Sequence, residues 1–217
     1  MSALTDLSQL PIPNVVETLD FETLFTARKQ RFISLYPAEQ QAEVTRTLGY
    51  ESEPFVKLLQ ENTYLEMALR VRINEAAVAN MLAHAVRHDL DNVVANFKVF
   101  RLQISPGDST AIPPVDPVYE SDSDLRMRAQ QAFEGLSVAG PTAAYEYHAR
   151  SADGRIADVS AISPYPCYVT VSVLSREGNG LASAELLAIV DTALNDIDIR
   201  PVGDRPTIQS AEVIPYQ

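Results

Sequence analysis

The chain has 217 residues, 46% of them hydrophobic, with 17 Lys+Arg against 29 Asp+Glu and a formal net charge of −12. That length suits one large domain or two small ones with real cores. So negative a charge argues against phosphate-backbone binding and against an anionic membrane surface, and the single Cys167 rules out an internal disulfide.

The opening MSALTDLSQLPIP lacks the basic and apolar regions of a secretory signal, and no apolar run approaches the roughly 18 residues of a membrane span. The expectation is a chain made in the cytoplasm and used there, or built there into something larger. Asp20 is placed to cap a first helix through Phe21, Leu24, Phe25, Arg28 and Phe32, which Pro37 ends. A second helix is predicted over 38–48, with Gly49 just beyond it.

The third predicted helix is the informative one. From Glu53, with Pro54 acceptable in the first turn, to His88 the sequence has no internal Pro or Gly. Such a helix has about 36 residues and is about 54 Å long, three times the usual length. It carries two apolar rows. Leu58, Leu65, Leu69, Ile73 and Ala76 share one sector, and Tyr64, Met67, Val71, Val78, Leu82 and Val86 cluster roughly opposite. A surface helix needs only one such stripe. Either this helix lies at the centre of a compact bundle, or it packs against its own domain and also against another chain. The short flanking helices favour the second reading, with Tyr64, Met67, Val71, Val78 and Leu82 facing the partner and Glu75 interrupting their row.

Residues 1–104 carry 13 acidic and 10 basic side chains, whereas 105–217 carry 16 and 7. Between the halves lie Pro106, Pro113, Pro114 and Pro117, which forbid a helix or a central strand, so 105–121 is expected to be a Pro-rich linker. Beyond it, Asp122 or Asp124 is predicted to start a short helix, and Gly140-Pro141 opens another that Asp153-Gly154 ends. Arg155–Ile162 and Tyr168–Leu174 alternate like half-buried strands. Gly178-Asn179-Gly180 reads as a turn, SAELLAIVDTALND as an amphipathic helix and Thr207–Ile214 as a third strand. The expected fold class is therefore α+β, with an elongated helical region at 1–104 and a mixed domain at 122–217 whose open sheet has helices on one face.

No motif points to an active site. His84 and His88 are four apart, but Ala85 stands where a zinc hydrolase needs Glu, and two imidazoles supply half a tetrahedral shell. They are expected near a helix C-terminus, where the dipole suits them. Counted from Asp122 as an EF-hand loop, Met127 and Phe133 fall where Gly and Glu are required. There is no GxSxG elbow, the Gly178 turn is too short for a phosphate loop, and Cys167 reads as a buried thiol at a strand start. No catalytic residue, metal or cofactor is expected.

GYESEPFVKLLQENTYLEMALRVRINEAAVANMLAHAVRHDLDNVVANFKVFR (49–101) resembles the long-helix region of the baseplate J-like proteins of P2-like contractile-tailed phages. The stretch 120–164, VTVSVLSREGNG, DIRPVGDRPTIQSAEV and the opening LSQLPIPNVVETLDFETLFTARKQ are similar to the same family, in order along nearly the whole chain. The resemblance implies a structural part of the baseplate wedge in a phage tail or tailocin, assembled in the host cytoplasm and carried in the virion. The implied partners are a second copy of the chain and other wedge proteins, in a sixfold platform around a central hub, with no nucleic acid and no membrane. Family members continue past the last predicted strand, so the chain is expected to be a shortened homologue or part of a longer one. The competing expectation is a small α+β ligand-binding or regulatory protein without catalysis, which requires an apolar pocket with convergent polar groups.

Overall fold

The computed structural model describes residues 5–11, 13–136 and 140–212. They form two compact units, one of residues 10–84 and the other of 85–212 together with the N-terminal segment. The division thus falls between His84 and Ala85, while the Pro-rich stretch 105–121 lies inside the larger unit.

The smaller unit is helical: α1 (Phe21–Ser34), α2 (Ala38–Thr47) and α3 (Pro54–Ala79). The Asp20 carboxylate accepts hydrogen bonds from the Thr23 amide at 2.8 Å and the Thr23 hydroxyl at 2.7 Å, capping α1 as its sequence predicts. Its core is small. Phe25, Leu48, Val56 and Leu59 are buried, and Phe21, Phe32, Ile33 and Val44 pack around them.

α3 is the long helix, but it has 26 residues and stops at Ala79 rather than near His88. Asn80 leaves helical geometry there, with its side-chain amide donating back to the Ala76 carbonyl at 2.7 Å. Leu82–His84 form a turn, and α4 (Arg87–Ala95) starts afresh. The break has no Pro or Gly to announce it. Beyond it the backbone is held by tertiary bonds: Arg126 donates to the Ala85 carbonyl at 2.7 Å, and the Asp122 carboxylate accepts from the Arg87 amide at 2.9 Å. Those bonds take backbone groups that a continuous helix would use internally.

In the larger unit, β1 (Gln103–Ser105) and β2 (Val118–Tyr119) pair antiparallel at the base of an arm that replaces the expected linker. α5 (Asp122–Gln131) is capped by Ser121, whose hydroxyl accepts from the Asp124 amide at 3.2 Å. Asp122 and Asp124 lie inside its first turn instead of at the cap.

α6 (Thr142–Ala152), β3 (Ile156–Tyr165), β4 (Tyr168–Ser175), α7 (Ala184–Leu194) and β5 (Arg205–Ser210) follow close to their predicted positions. Residues 213–214 of the third predicted strand lie outside the described residues. The sheet order is β3-β4-β5, with β3-β4 antiparallel and β4-β5 parallel. Alternate β4 residues Val169, Val171 and Val173 point into one core with Tyr145 and Ala149 of α6 and Leu186, Val190 and Leu194 of α7. Period-two alternation on the strand meets helical stripes on one side, and the other sheet face is mixed, carrying Ser160, Ser172 and Gln209 together with the exposed Ile162 and Tyr168.

Candidate interaction surface

The buried residues of α3 are Val56, Leu59 and Thr63, all within its first ten positions. Thr63 can be buried because its hydroxyl donates to the Leu59 carbonyl at 2.7 Å. From Tyr64 to Ala79 no side chain is buried. That half of the helix is held along one edge by polar contacts. Glu66 pairs with Arg28 and, at 2.8 Å, with Arg70; Arg70 also reaches Glu17 at 2.9 Å. The Asn74 amide bonds both the amide and the carbonyl of Glu17, at 3.1 and 2.8 Å. The Arg28 guanidinium beside Glu66 holds its carboxyl below the ordinary range.

The Leu58 row lies wholly on α3, whereas only Tyr64, Met67, Val71 and Val78 of the other row do. Tyr64 is 57% and Val71 40% exposed, while Met67 and Val78 are half-buried. Leu82 is not on this face at all, because it sits in the turn after the helix has ended, and Val86 is the extended residue preceding α4. The opposite row is the more open: Leu58, Leu65, Leu69 and Ile73 are 57%, 55%, 61% and 52% exposed. Their spacing of seven, four and four keeps them on one side of the helix. Sequence alone shows both rows and cannot say which is covered, since that depends on where α1 lies. Glu75, which interrupts the Tyr64 row, pairs with Arg72 at 3.5 Å.

The features weighed for chemistry fall apart in space. His88 lies in the first turn of α4 and His84 in the preceding turn, so they share no helix face and neither ends a helix. Among the described residues no group of three His, Cys, Asp or Glu side chains is placed to hold a metal. Cys167 is exposed, in the β3–β4 turn with φ +67°, and is not a buried strand residue. A cleft of about 310 Å³ is lined by Glu120, Asp124, Arg128, Arg150, Asp158 and Arg176 among others. Its guanidinium groups each stand in an ion pair, Arg128 with Glu120, Arg150 with Asp158 and Arg176 with Asp124 at 2.8 Å, with the Arg150 Nε the one buried donor among them left without a partner. That lining of closed ion pairs differs from the apolar, selectively polar wall of a small-molecule site.

Two family models match the chain in order: the baseplate J-like N-terminal domain over residues 51–108 and the baseplate J-like central domain over 137–210. The first covers α3 and α4, and the second covers the three-stranded sheet and its helices. The chain is also 59% identical over 214 residues to baseplate protein J of Escherichia phage P2, an alignment spanning 99% of this chain and 71% of that protein. Two domain matches in sequence order and near-complete alignment leave one assignment: the chain belongs to the baseplate J-like family.

Proposed function

We infer that the chain is a structural component of the baseplate wedge of a contractile phage tail, needed for baseplate and tail assembly. It acts through protein–protein contact in the virion and is assembled in the host cytoplasm. The observation that carries this reading is the outer half of α3, where Leu65, Leu69, Ile73, Tyr64 and Val71 are all exposed and nothing is buried. A monomer gains nothing from an apolar strip on a helix that its own core does not reach.

The partners we propose are other wedge proteins and a second copy of the chain, arranged in sixfold fashion around the hub. Tyr64, Met67, Val71 and Val78 form one contact row on α3, with Leu82 just past its end; Leu58, Leu65, Leu69 and Ile73 form the other. Full burial of a large apolar side chain stabilises by about 1.5–3 kcal/mol, so covering the exposed halves of the latter four contributes roughly 3–7 kcal/mol. Association itself opposes by about 4–15 kcal/mol, a range that overlaps this gain, so a second covered row widens the margin.

Val71→Asp combined with Val78→Asp is expected to abolish binding to the wedge partner while the larger unit stays folded. Leu65→Asp with Leu69→Asp tests the opposite row in the same way. Normal assembly of both double variants, read by co-purification with baseplate proteins, contradicts the reading. So does global unfolding of either, because it makes that row internal core.

A further inference from the structure

The segment between β1 and β2 is built, not slack. The Asp108 amide donates to the Val115 carbonyl at 2.8 Å, and the Val115 amide returns a bond to the Asp108 carbonyl at 2.9 Å. The Asp108 carboxylate accepts from the amide and the hydroxyl of Thr110, at 2.8 and 2.6 Å. Gly107 has φ +72°, and a Cβ there would sit 2.6 Å from the Val115 carbonyl oxygen, so the two limbs close only because it is glycine. At the base, the Leu102 amide donates to a Glu120 carboxylate oxygen at 3.1 Å, and Glu120 is itself buried against Arg128. Pro106, Pro113, Pro114 and Pro117 each fix one backbone torsion.

This ordered arm has no core of its own. Ile112 at its tip is 100% exposed, and every residue from Ile112 to Tyr119 is exposed, Val115, Val118 and Tyr119 among them. Order without burial is what a preorganised binding element needs, because the conformational entropy is lost before the partner arrives. Charge identifies the kind of partner. The arm from 106 to 119 carries two carboxylates, Asp108 and Asp116, and no Lys or Arg, whereas Glu120, Asp122 and Asp124 beyond it are already paired with Arg128, Arg101 and Arg176. A second copy, with net charge −12, is a poor match for that surface.

We propose that the 106–119 arm is a rigid apolar plug that seats in a pocket rimmed by Lys and Arg on a different baseplate chain. The proposal rests on the baseplate reading but not on α3, so the α3 variants and the arm variants fail independently. The full-length chain carrying benzoylphenylalanine in place of Ile112 is assembled into tails, which are purified and irradiated. One adduct is expected, to a chain of different sequence, at a peptide containing Lys or Arg. Asp116→Lys in the same chain should cut its yield at least threefold. An adduct between two copies of this chain overturns the proposal, as does no adduct in tails that contain the substituted chain. If the bulky residue itself blocks incorporation, the readout is Ile112→Asp against Ile112→Leu in the full chain. Loss of incorporation at least tenfold with Asp but not with Leu supports the plug, and equal incorporation overturns it.

Discussion

Arg128 and Glu120 are each only 4% exposed, and Arg128 also donates to the Phe100 carbonyl at 2.6 Å. Removing one partner strands a buried charge, so Arg128→Ala is expected to destabilise by about 3–5 kcal/mol in urea unfolding. The paired change of Arg128 to Met with Glu120 to Leu should cost less than Arg128→Ala, since no charge is left buried, with the remaining loss coming from the Leu102 amide and Phe100 carbonyl that lose their partners. Cys167 makes the opposite case. It occupies the third position of a turn after Pro166, where φ is +67° and glycine is preferred. Cys167→Gly should therefore raise stability by about 0.5–1 kcal/mol; a fall would mean that the thiol makes a compensating contact.

His148 is half-buried on α6, and burial holds its imidazole below the ordinary value of 6.5. The folded state then binds fewer protons than the unfolded chain just below that value, so stability is complete above it and declines as the pH falls through it. Depressed carboxylates such as Asp153 and Asp122 act in a lower window, below their ordinary 3.8. A urea midpoint that drops between about pH 7.5 and about pH 5.5 in the native chain, but less so in His148→Gln, is the expected signature.

At the level of elements, most of the sheet unit could be read from the chain. Alternation marked β3 and β4, and the amphipathic stretch SAELLAIVDTALND marked α7, which the structure shows capped by Ser183, whose hydroxyl accepts from the Leu186 amide at 3.2 Å. The start of α4 and the arm were not legible, for one shared reason: both are held by side chains distant in sequence. Arg126 and Asp122 capture the backbone at 85–87, and Glu120 and Arg128 weld the arm's base. Prolines correctly excluded a helix at 105–121, but they do not distinguish a loose linker from a braced arm. The candidate surface was half legible, since both rows were visible while their coverage was not.

The outer half of α3 is held by partly exposed ion pairs, each worth about 0–1 kcal/mol. Its amides at 64–79 should exchange faster than those of β4 in the isolated chain and become protected in the assembled baseplate. Equal protection in both states would place a stabilising contact within the chain itself.

For the whole molecule, the negative charge and the exposed apolar elements describe a part that is finished by its neighbours. If the arm seats against Lys and Arg as proposed, assembly weakens as ionic strength rises, because screening shortens the reach of those charges to about 8 Å at physiological salt. The two candidate contacts, α3 and the arm, belong to separate compact units, and each carries its own test. The most direct one is electron cryomicroscopy of the assembled baseplate at side-chain resolution. The expected result is that Leu58, Leu65, Leu69 and Ile73, more than half exposed in the single chain, are covered by other protein chains. A map in which that row faces solvent in the finished particle would contradict the account.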